Sequence, residues 1–429
     1  MEGVGVLCHL SSLPSQDISD VKNFLNLLKK YDIDHWQVLP LSPPDAFGSP
    51  YASNSAFAAW DKWIEEYQEV GTFEEWMTDW GYYSAIRSEH DNQEWFQWPK
   101  DLKNKEKDAM KPYSELAKSH VLKQQKFNAY WSEIRKHASS LGISLIGDLP
   151  MYVTHGSSDV WSHRELFLLN QRGKVELVAG VPPDYFSKKG QKWGNVLYDW
   201  DAHRREHFFW WKARIRRMLD LFDYVRIDHF RGFHSAWAIP SHHKTARKGH
   251  WIEGPKDMMV EAIIEAAEGD VNRILAEDLG IIPKEVVELR KKYSISGMSI
   301  LQFGFSEPSE ENPHHPLNIA SDTIAYTGTH DNQTTNGWWK DQTKRGKNQI
   351  SKLFEMDEVP VWELINLAIK SNAKAVIIPV QDLMELGDEA RMNKPGTTSN
   401  NWNWKLNSHQ DLEQGLDKLA TLRKRIITR

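Results

Sequence analysis

Three apolar stretches of this chain end in the same way, with an acidic residue beside glycine or histidine. Residues 224–233 are the clearest case, because they carry Asp228 and His229 directly after an apolar run. The pattern recurs at residues 276–280 and 326–332. Buried parallel strands that deliver side chains to a common rim are typical of α/β barrels, whose reactive groups lie at the carboxyl ends of the strands. The three stretches therefore predict one shared site.

Short apolar strands alternate with helical patterns along most of the chain, which predicts an α/β fold. The predicted strands are residues 4–10, 35–41, 143–149, 219–227, 273–278, 297–303, 323–329 and 373–380. Helical spacing lies between most of them, as in residues 18–31, 203–219, 284–292 and 359–371. Eight strands in such an alternation predict a (β/α)8 barrel of the TIM type.

Two long segments interrupt this alternation, after the second and third strands. Residues 57–131 are rich in Trp, Glu and Lys with helical periodicity, which predicts a mostly helical insertion. Residues 151–200 are too polar for a core and too aromatic for disorder, so we predict a loop insertion that covers the substrate. We expect residues 1–429 to form a single catalytic domain that includes both insertions.

The composition argues against several classes of partner. A formal net charge of -6 gives no basic surface for nucleic acid. No apolar stretch reaches the ~18 to 20 residues of a membrane span, so we predict no membrane partner. The single Cys8 offers neither a disulfide framework nor a zinc cluster. The first residues lack the pattern of a signal peptide, which predicts a cytoplasmic location.

The chain is rich in tryptophan, with 20 in 429 residues. Flat apolar rings with a polar edge suit amphipathic ligands such as sugars. Tyr185, Phe186 and Trp193 lie on the segment 151–200, where their rings can stack on a sugar. The alternative is that many of the tryptophans pack in the core and in the insertions.

The acidic residues fit the cleavage of a glycosidic bond, which uses one carboxylate as nucleophile and one protonated carboxyl as general acid. Glu277 is the better acid, because its longer side chain reaches a leaving oxygen and neighbouring negative charges raise its pKa. Asp228 is the better nucleophile, and Arg226 can keep it ionised through a charge-assisted hydrogen bond. Asp331 and His330 remain for the ring hydroxyls. Taken alone, Asp228 and Arg226 also fit a strand-end ion pair with a purely structural role.

Ten short motifs are spread along almost the whole chain. They are WQVLPL at 36–41, SPY at 49–51, GDLP at 147–150, DVW at 159–161, AGVPPDYF at 179–186, WGN at 193–195, RIDHFRGF at 226–233, AEDLG at 276–280, GTHDN at 328–332 and EARMN at 389–393. As a set, these motifs resemble the 4-alpha-glucanotransferases called amylomaltase or disproportionating enzyme.

The resemblance implies retaining transfer of an α-1,4-glucan segment between glucans, without a cofactor or metal. It makes Asp228 the nucleophile, Glu277 the acid/base and Asp331 the stabiliser of the transition state. The loop with Tyr185 and Phe186 resembles a flexible lid over the acceptor site. Substrate contacts are expected from Tyr51, Asp148, Asp184, Tyr185, Phe186, Trp193, Asn195, Arg226, His229 and His330.

Two other functions remain open at the level of the sequence. An α-glucan hydrolase of the amylase type would use the same pair of carboxyl groups with water as the acceptor. A glucan-binding protein without turnover would not need the intact acids. We expect malto-oligosaccharides and α-1,4-glucans as the ligands in each case, with no obligatory protein partner.

Overall fold

The structure is a computed structural model that describes residues 1–183, 187–305, 312–354 and 361–427. Its strands are β1 (Gly3–Leu7), β2 (His35–Gln37), β3 (Ser144–Leu149), β4 (Leu177–Val181), β5 (Gln191–Val196), β6 (Tyr224–Ile227), β7 (Ser235–Pro240), β8 (His250–Glu253), β9 (Ile274–Ala276), β10 (Gly297–Ile300), β11 (Thr323–Tyr326) and β12 (Ala375–Pro379). Its α-helices are α1 (Ile18–Lys30), α2 (Trp76–Glu89), α3 (Lys100–Lys103), α4 (Lys107–Met110), α5 (Ser114–Ser140), α6 (Ser158–Ser162), α7 (Trp200–Arg205), α8 (Phe209–Leu221), α9 (Asp257–Ala266), α10 (Lys284–Lys292), α11 (Leu301–Gly304), α12 (Thr335–Asp341), α13 (Lys344–Phe354), α14 (Val361–Lys370), α15 (Val380–Leu383) and α16 (Gln410–Ile427).

Eight parallel strands form the central barrel, in the order β10-β11-β12-β1-β2-β3-β6-β9. Each strand therefore lies beside the next barrel strand along the chain. A parallel bridge between Leu275 and Ser296 joins the two ends of the sheet, and the amide of Ala276 donates to the carbonyl of Ser296 at 2.8 Å. The predicted (β/α)8 barrel is confirmed.

The barrel strands are apolar because both of their faces are covered. All five residues of β12 are buried, and so are all four residues of β11. Strands buried on both faces appear in sequence as continuous apolar runs. Helix α1 lies outside the barrel and buries one face, which includes Val21, Phe24 and Leu28. Asp17 caps its first turn by accepting from the amides of Ser19 and Asp20 at 3.0 and 2.9 Å.

Several predicted boundaries are wrong. The strand predicted at 297–303 ends at Ile300, because the next four residues form α11. The strand predicted from 219 begins at Tyr224, since α8 continues to Leu221. The helix predicted at 203–219 is divided between α7 and α8. A short apolar run fits a buried strand and a buried helix equally well, so periodicity alone does not locate the junction.

A second sheet lies beside the barrel, and the sequence did not predict it. Its four antiparallel strands are in the order β5-β4-β7-β8. β4 and β5 belong to residues 151–200, whereas β7 and β8 follow the barrel strand β6. The segment predicted as a loop insertion therefore supplies half of a sheet.

Residues 57–131 contain α2, α3, α4 and the first part of α5, and no strand. Helix α5 continues beyond this segment to Ser140, and it packs against α1 and β3. Most of the largest fully buried side chains are aromatic, and they include Trp36, Trp95, Trp98, Trp131, Trp161 and Trp211. These six tryptophans are core residues, as the alternative interpretation of the tryptophan content expected.

Candidate active site

The predicted acids lie at adjoining strand ends of the barrel. Asp148, one residue before the end of β3, lies opposite Arg226 of β6 in the parallel register. Asp228 and Glu277 follow β6 and β9 directly, and the sheet hydrogen bonds continue into both residues. The amide of Asp228 donates to the Leu149 carbonyl at 2.9 Å, and the amide of Glu277 donates to the Ile227 carbonyl at 3.0 Å. The backbone that carries each acid is thus fixed by the barrel itself.

Arg226 joins two of these acids. Its Nη1 donates to both carboxylate oxygens of Asp148 at 2.6 Å, and its Nη2 donates to Asp228 Oδ1 at 3.0 Å. The hydroxyl of Tyr51 donates to Asp148 Oδ2 at 2.6 Å. The exposed fraction of the side chain is 5% for Arg226, 0% for Asp148 and 29% for Asp228. Asp148 therefore lies behind the arginine as its buried counter-charge, and Asp228 is the acid that faces the site.

Glu277 accepts two backbone hydrogen bonds. The amide of His229 donates to Oε2 at 2.7 Å and the amide of Leu279 donates to Oε1 at 3.0 Å. His229 has φ 48°, a left-handed conformation that residues other than glycine rarely adopt. This turn follows Asp228 immediately, so one backbone feature positions both carboxyl groups.

Asp228 and Glu277 both have raised pKa values. Burial raises the pKa of Asp228 to about 8, with Asp148, Glu277 and Asp331 adding to the effect and Arg226 opposing it. Burial also raises the pKa of Glu277 to about 6, against the effects of Arg226 and of the two backbone donors. Burial, rather than neighbouring charge, is the main cause in both cases. As a coupled pair, the two groups bind one proton between these values, and the higher value favours Asp228 as its site, opposite to the predicted ionised nucleophile.

Asp331 lies on the loop after β11, close enough to raise the pKa of Asp228. The side-chain amide of Asn393 donates to Asp331 Oδ1 at 2.6 Å. The guanidinium of Arg391 donates to the Asp331 carbonyl at 2.5 Å. His330 Nε2 lies 3.3 Å from the same Oδ1. The side chain of Asp331 is nevertheless 46% exposed, so its carboxylate is held in place and still accessible.

Tyr51 and His330 connect Asp148 to Asp331, because Tyr51 contacts the first acid and His330 the second. Their rings are stacked, with centroids 5.0 Å apart and an interplanar angle of 13°. Trp402 packs against both rings at centroid distances of 5.8 Å. The structure thus brings together Tyr51 and His330, which the sequence predicted separately.

The aromatic wall of the site is built around Trp193 of the second sheet. Trp193 of β5 is 38% exposed, and its ring meets the edge of His229 at 4.9 Å and 88°. Tyr152 packs against both rings at 6.1 and 6.2 Å. Gly194 has φ +86°, where a glycine is favoured, next to an irregularity in the pairing of β4 with β5. Asn195 lies half-buried on the same strand.

Three predicted site residues, Asp184, Tyr185 and Phe186, lie outside the described residues. Four residues that contact the site were not predicted, namely Tyr152, Arg391, Asn393 and Trp402. Arg391 and Asn393 belong to the motif at 389–393, which was recognised without a role. Tyr152 follows the motif at 147–150 closely.

Within the described ranges, no group of three or more His, Cys, Asp or Glu residues is arranged to hold a metal ion. In the same part of the chain, no helix combines the length and the apolar character that crossing a membrane requires.

Comparisons with known proteins agree with this geometry. A family model described as 4-alpha-glucanotransferase matches residues 8–68 and 61–411. The 4-alpha-glucanotransferase of Thermus thermophilus is 38% identical over an alignment of 475 positions, which covers 94% of each chain. A chloroplastic/amyloplastic 4-alpha-glucanotransferase of Arabidopsis thaliana is 36% identical over an alignment of 489 positions, which covers 97% of this chain and 84% of that protein.

Among solved structures, the amylomaltase of Streptococcus agalactiae in complex with acarbose superposes with a TM-score of 0.91 at 30% identity, covering 98% of this chain and 99% of that one. These matches confirm the prediction of a glycosyltransferase, and they favour neither the amylase-type hydrolase nor the binding protein without turnover. The chain belongs to the 4-alpha-glucanotransferase family.

Proposed function

We propose that this enzyme moves a segment of α-1,4-glucan from a donor malto-oligosaccharide or glucan to the 4-hydroxyl of an acceptor glucose or glucan, through a covalent glycosyl-enzyme. The observation that carries the proposal is the pair formed by Asp228 and Glu277, which follow the adjoining strands β6 and β9 directly, with Arg226 donating to Asp228. Retaining transfer needs one ionised and one protonated carboxyl group on the reacting bond.

In the first step, Asp228 attacks the anomeric carbon of the donor. The bond between that carbon and the glycosidic oxygen breaks, and its electron pair takes the proton of Glu277. The reactive form has the proton on Glu277, although the two backbone donors favour the ionised form of this residue. Two features of the bound donor favour the reactive form. The glycosidic oxygen accepts a hydrogen bond from Glu277, and positive charge develops on the sugar beside Asp228.

In the second step, the acceptor 4-hydroxyl attacks the same carbon, and Asp228 leaves. Glu277 now acts as the base that takes the proton of the hydroxyl. Two displacements at one carbon retain its configuration. Arg226 stabilises the carboxylate of Asp228 when it is released, because its Nη2 already donates to that group.

Asp331 and His330 contact the hydroxyls of the sugar that becomes attached to Asp228. Support comes from the accessible carboxylate of Asp331, which Asn393 and Arg391 hold in one orientation. Hydrogen bonds that shorten as the sugar ring flattens lower the barrier. Tyr51 and Asp148 contribute from behind this sugar by fixing Arg226.

The acceptor sugar stacks on Trp193, beside His229 and Asn195. Water is far more concentrated than any sugar, so transfer requires an acceptor held in attack geometry and water kept away. The exposed face of Trp193 next to His229 supports this assignment. The proposal also assigns a role to the part of residues 151–200 that contains Asp184, Tyr185 and Phe186. These residues cover the acceptor.

The proposal includes no metal, no cofactor and no obligatory protein partner. It places the enzyme in the cytoplasm, with residues 1–429 as a single catalytic domain. The acarbose complex of the Streptococcus agalactiae amylomaltase supports an oligosaccharide ligand. The plant relative named chloroplastic/amyloplastic makes the location a matter for direct measurement.

Incubation of the purified protein with maltotriose alone tests the proposal. We expect glucose together with a ladder of longer oligosaccharides, because each donor loses a segment to another chain. Shortened products without a ladder would contradict transfer and indicate hydrolysis. Unchanged maltotriose would contradict turnover.

A further inference from the structure

Asp382 is a fully buried acid that the proposed reaction does not use. It lies on α15, directly after the barrel strand β12, and is 1% exposed. Its Oδ2 accepts from the hydroxyls of Thr327 at 2.6 Å and Thr335 at 2.7 Å. Its Oδ1 accepts from the amide of Thr335 at 2.7 Å. Three short hydrogen bonds therefore converge on one carboxylate.

The two threonines mark the ends of the segment 327–335, which connects β11 to α12. This segment carries His330 and Asp331. Both threonines are buried, at 0% and 1% exposure. Asp382 thus ties the point where the chain leaves the barrel to the point where the next helix begins.

An acceptor-only group is required at this position. A carboxylate can accept from three donors at once, whereas an amide of the same shape brings two N–H donors of its own. Burial raises the pKa of Asp382, and the hydrogen bonds from Thr327 and Thr335 act against that effect. An apolar residue would avoid the cost of burying a charge, but it would leave the three donors unsatisfied.

We propose that Asp382 is a positioning residue for Asp331, because it fixes both ends of the segment that presents Asp331 to the sugar. Asn393 and Arg391 hold the middle of the same segment through the carboxylate and the carbonyl of Asp331. The inference rests on the proposed role of Asp331 in turnover.

The direct test is Asp382→Asn, assayed by disproportionation of maltotriose. We expect kcat to fall about 30- to 100-fold, as for a catalytic group displaced by a fraction of an ångström to 1 Å. KM should change less than about threefold, since the other sugar contacts remain. Thr335→Val removes one of the three donors and should lower kcat in the same direction by about five- to tenfold.

Thr334→Val is the matched control. The Thr334 hydroxyl accepts from the Gly337 amide at 3.1 Å and caps α12, rather than donating to Asp382. It is buried and adjacent to Thr335, so its loss perturbs the same end of the segment. We expect its kcat to stay within about twofold of the parent. A loss of kcat as large as that of Thr335→Val would overturn the inference.

A double-mutant cycle separates positioning from general damage. On an Asp331→Asn background, Asp382→Asn should lower kcat by less than about twofold, because the group that it positions is already lost. An equal loss on both backgrounds would overturn the inference while leaving the role of Asp331 intact. Near-normal activity of Asp331→Asn alone would instead contradict the proposed function. If Asp382→Asn does not fold, Thr335→Val takes its place in the cycle with the same criteria.

Discussion

The two walls of the site are built differently. The acid wall consists of residues at the ends of β3, β6 and β9, whose backbones continue the hydrogen bonding of the barrel. Asp148 and Arg226 are buried, Asp228 and Glu277 are partly exposed, and Arg226 donates charged hydrogen bonds to Asp148 and Asp228. The aromatic wall belongs to an antiparallel sheet beside the barrel, and Trp193 meets His229 only through a ring contact.

This difference assigns separate tasks to the two walls. Buried charges held by several hydrogen bonds interact strongly with charge that develops on a substrate. An exposed ring offers stacking and exclusion of water, which change the balance between acceptors without changing the chemistry. Substitutions in the acid wall should therefore abolish both transfer and hydrolysis, whereas those in the aromatic wall should change their ratio.

The largest effect is expected from Asp228→Asn. Loss of the nucleophile should lower kcat for transfer and hydrolysis alike by at least about 10⁴-fold. The near-isosteric amide should leave the melting temperature and the binding of maltotriose close to those of the parent. Transfer assays, calorimetric titration and thermal melts together check this, and near-normal turnover would remove Asp228 from the role of nucleophile.

Glu277→Gln should rank next. Loss of the general acid should slow maltotriose cleavage by about 10²- to 10⁴-fold. An α-glucosyl fluoride, whose leaving group needs no proton, should recover much of the rate of the first step. Fluoride release measured beside glucose release separates the two substrates. Equal losses on both would show that Glu277 is not the acid.

The pH dependence follows from the shared proton. Below about pH 6 a second proton neutralises the nucleophile, and above about pH 8 the acid is lost. The profile of kcat/KM should therefore be bell-shaped and fall about tenfold for each pH unit beyond either limit. Glu277→Gln assayed with the α-glucosyl fluoride should lack the alkaline limb. A profile that is flat from pH 5 to 9 would contradict the assignment of the pair.

The smallest effect is expected in the aromatic wall. Trp193→Ala should raise the ratio of hydrolysis to transfer about fivefold, since loss of one stacked ring is worth on the order of 1 kcal/mol. Trp251→Ala is the matched control, because Trp251 is 42% exposed on the same sheet and packs on Trp237 and Arg231 rather than on His229. Equal ratios in the two variants, with a lower melting temperature for Trp193→Ala, would indicate that Trp193 only fastens the sheet.

The acid wall was largely predictable from the sequence, and the aromatic wall was not. Asp228 and Glu277 follow short, mostly apolar runs, so the barrel and the positions of the acids follow from local pattern. The contact of Arg226 with Asp148 depends on the register between β3 and β6, which is a long-range property.

The second sheet escaped prediction because two of its strands are largely exposed. All four residues of β8 are at least partly exposed, and β5 contains Gly194 at an irregular position. Neither strand shows the clean alternation of a half-buried strand. Composition likewise does not separate the six buried tryptophans from Trp193, because burial depends on packing between distant segments.

The central claim, that Asp228 forms a covalent bond to the transferred sugar, has one direct test. Glu277→Gln incubated with an α-glucosyl fluoride should accumulate the glycosyl-enzyme, because the first step needs no acid and the second lacks its base. Digestion and mass spectrometry should then locate one added glucosyl group on Asp228. A glucosyl group on Asp331 or another residue, or fluoride release without any adduct, would contradict the account.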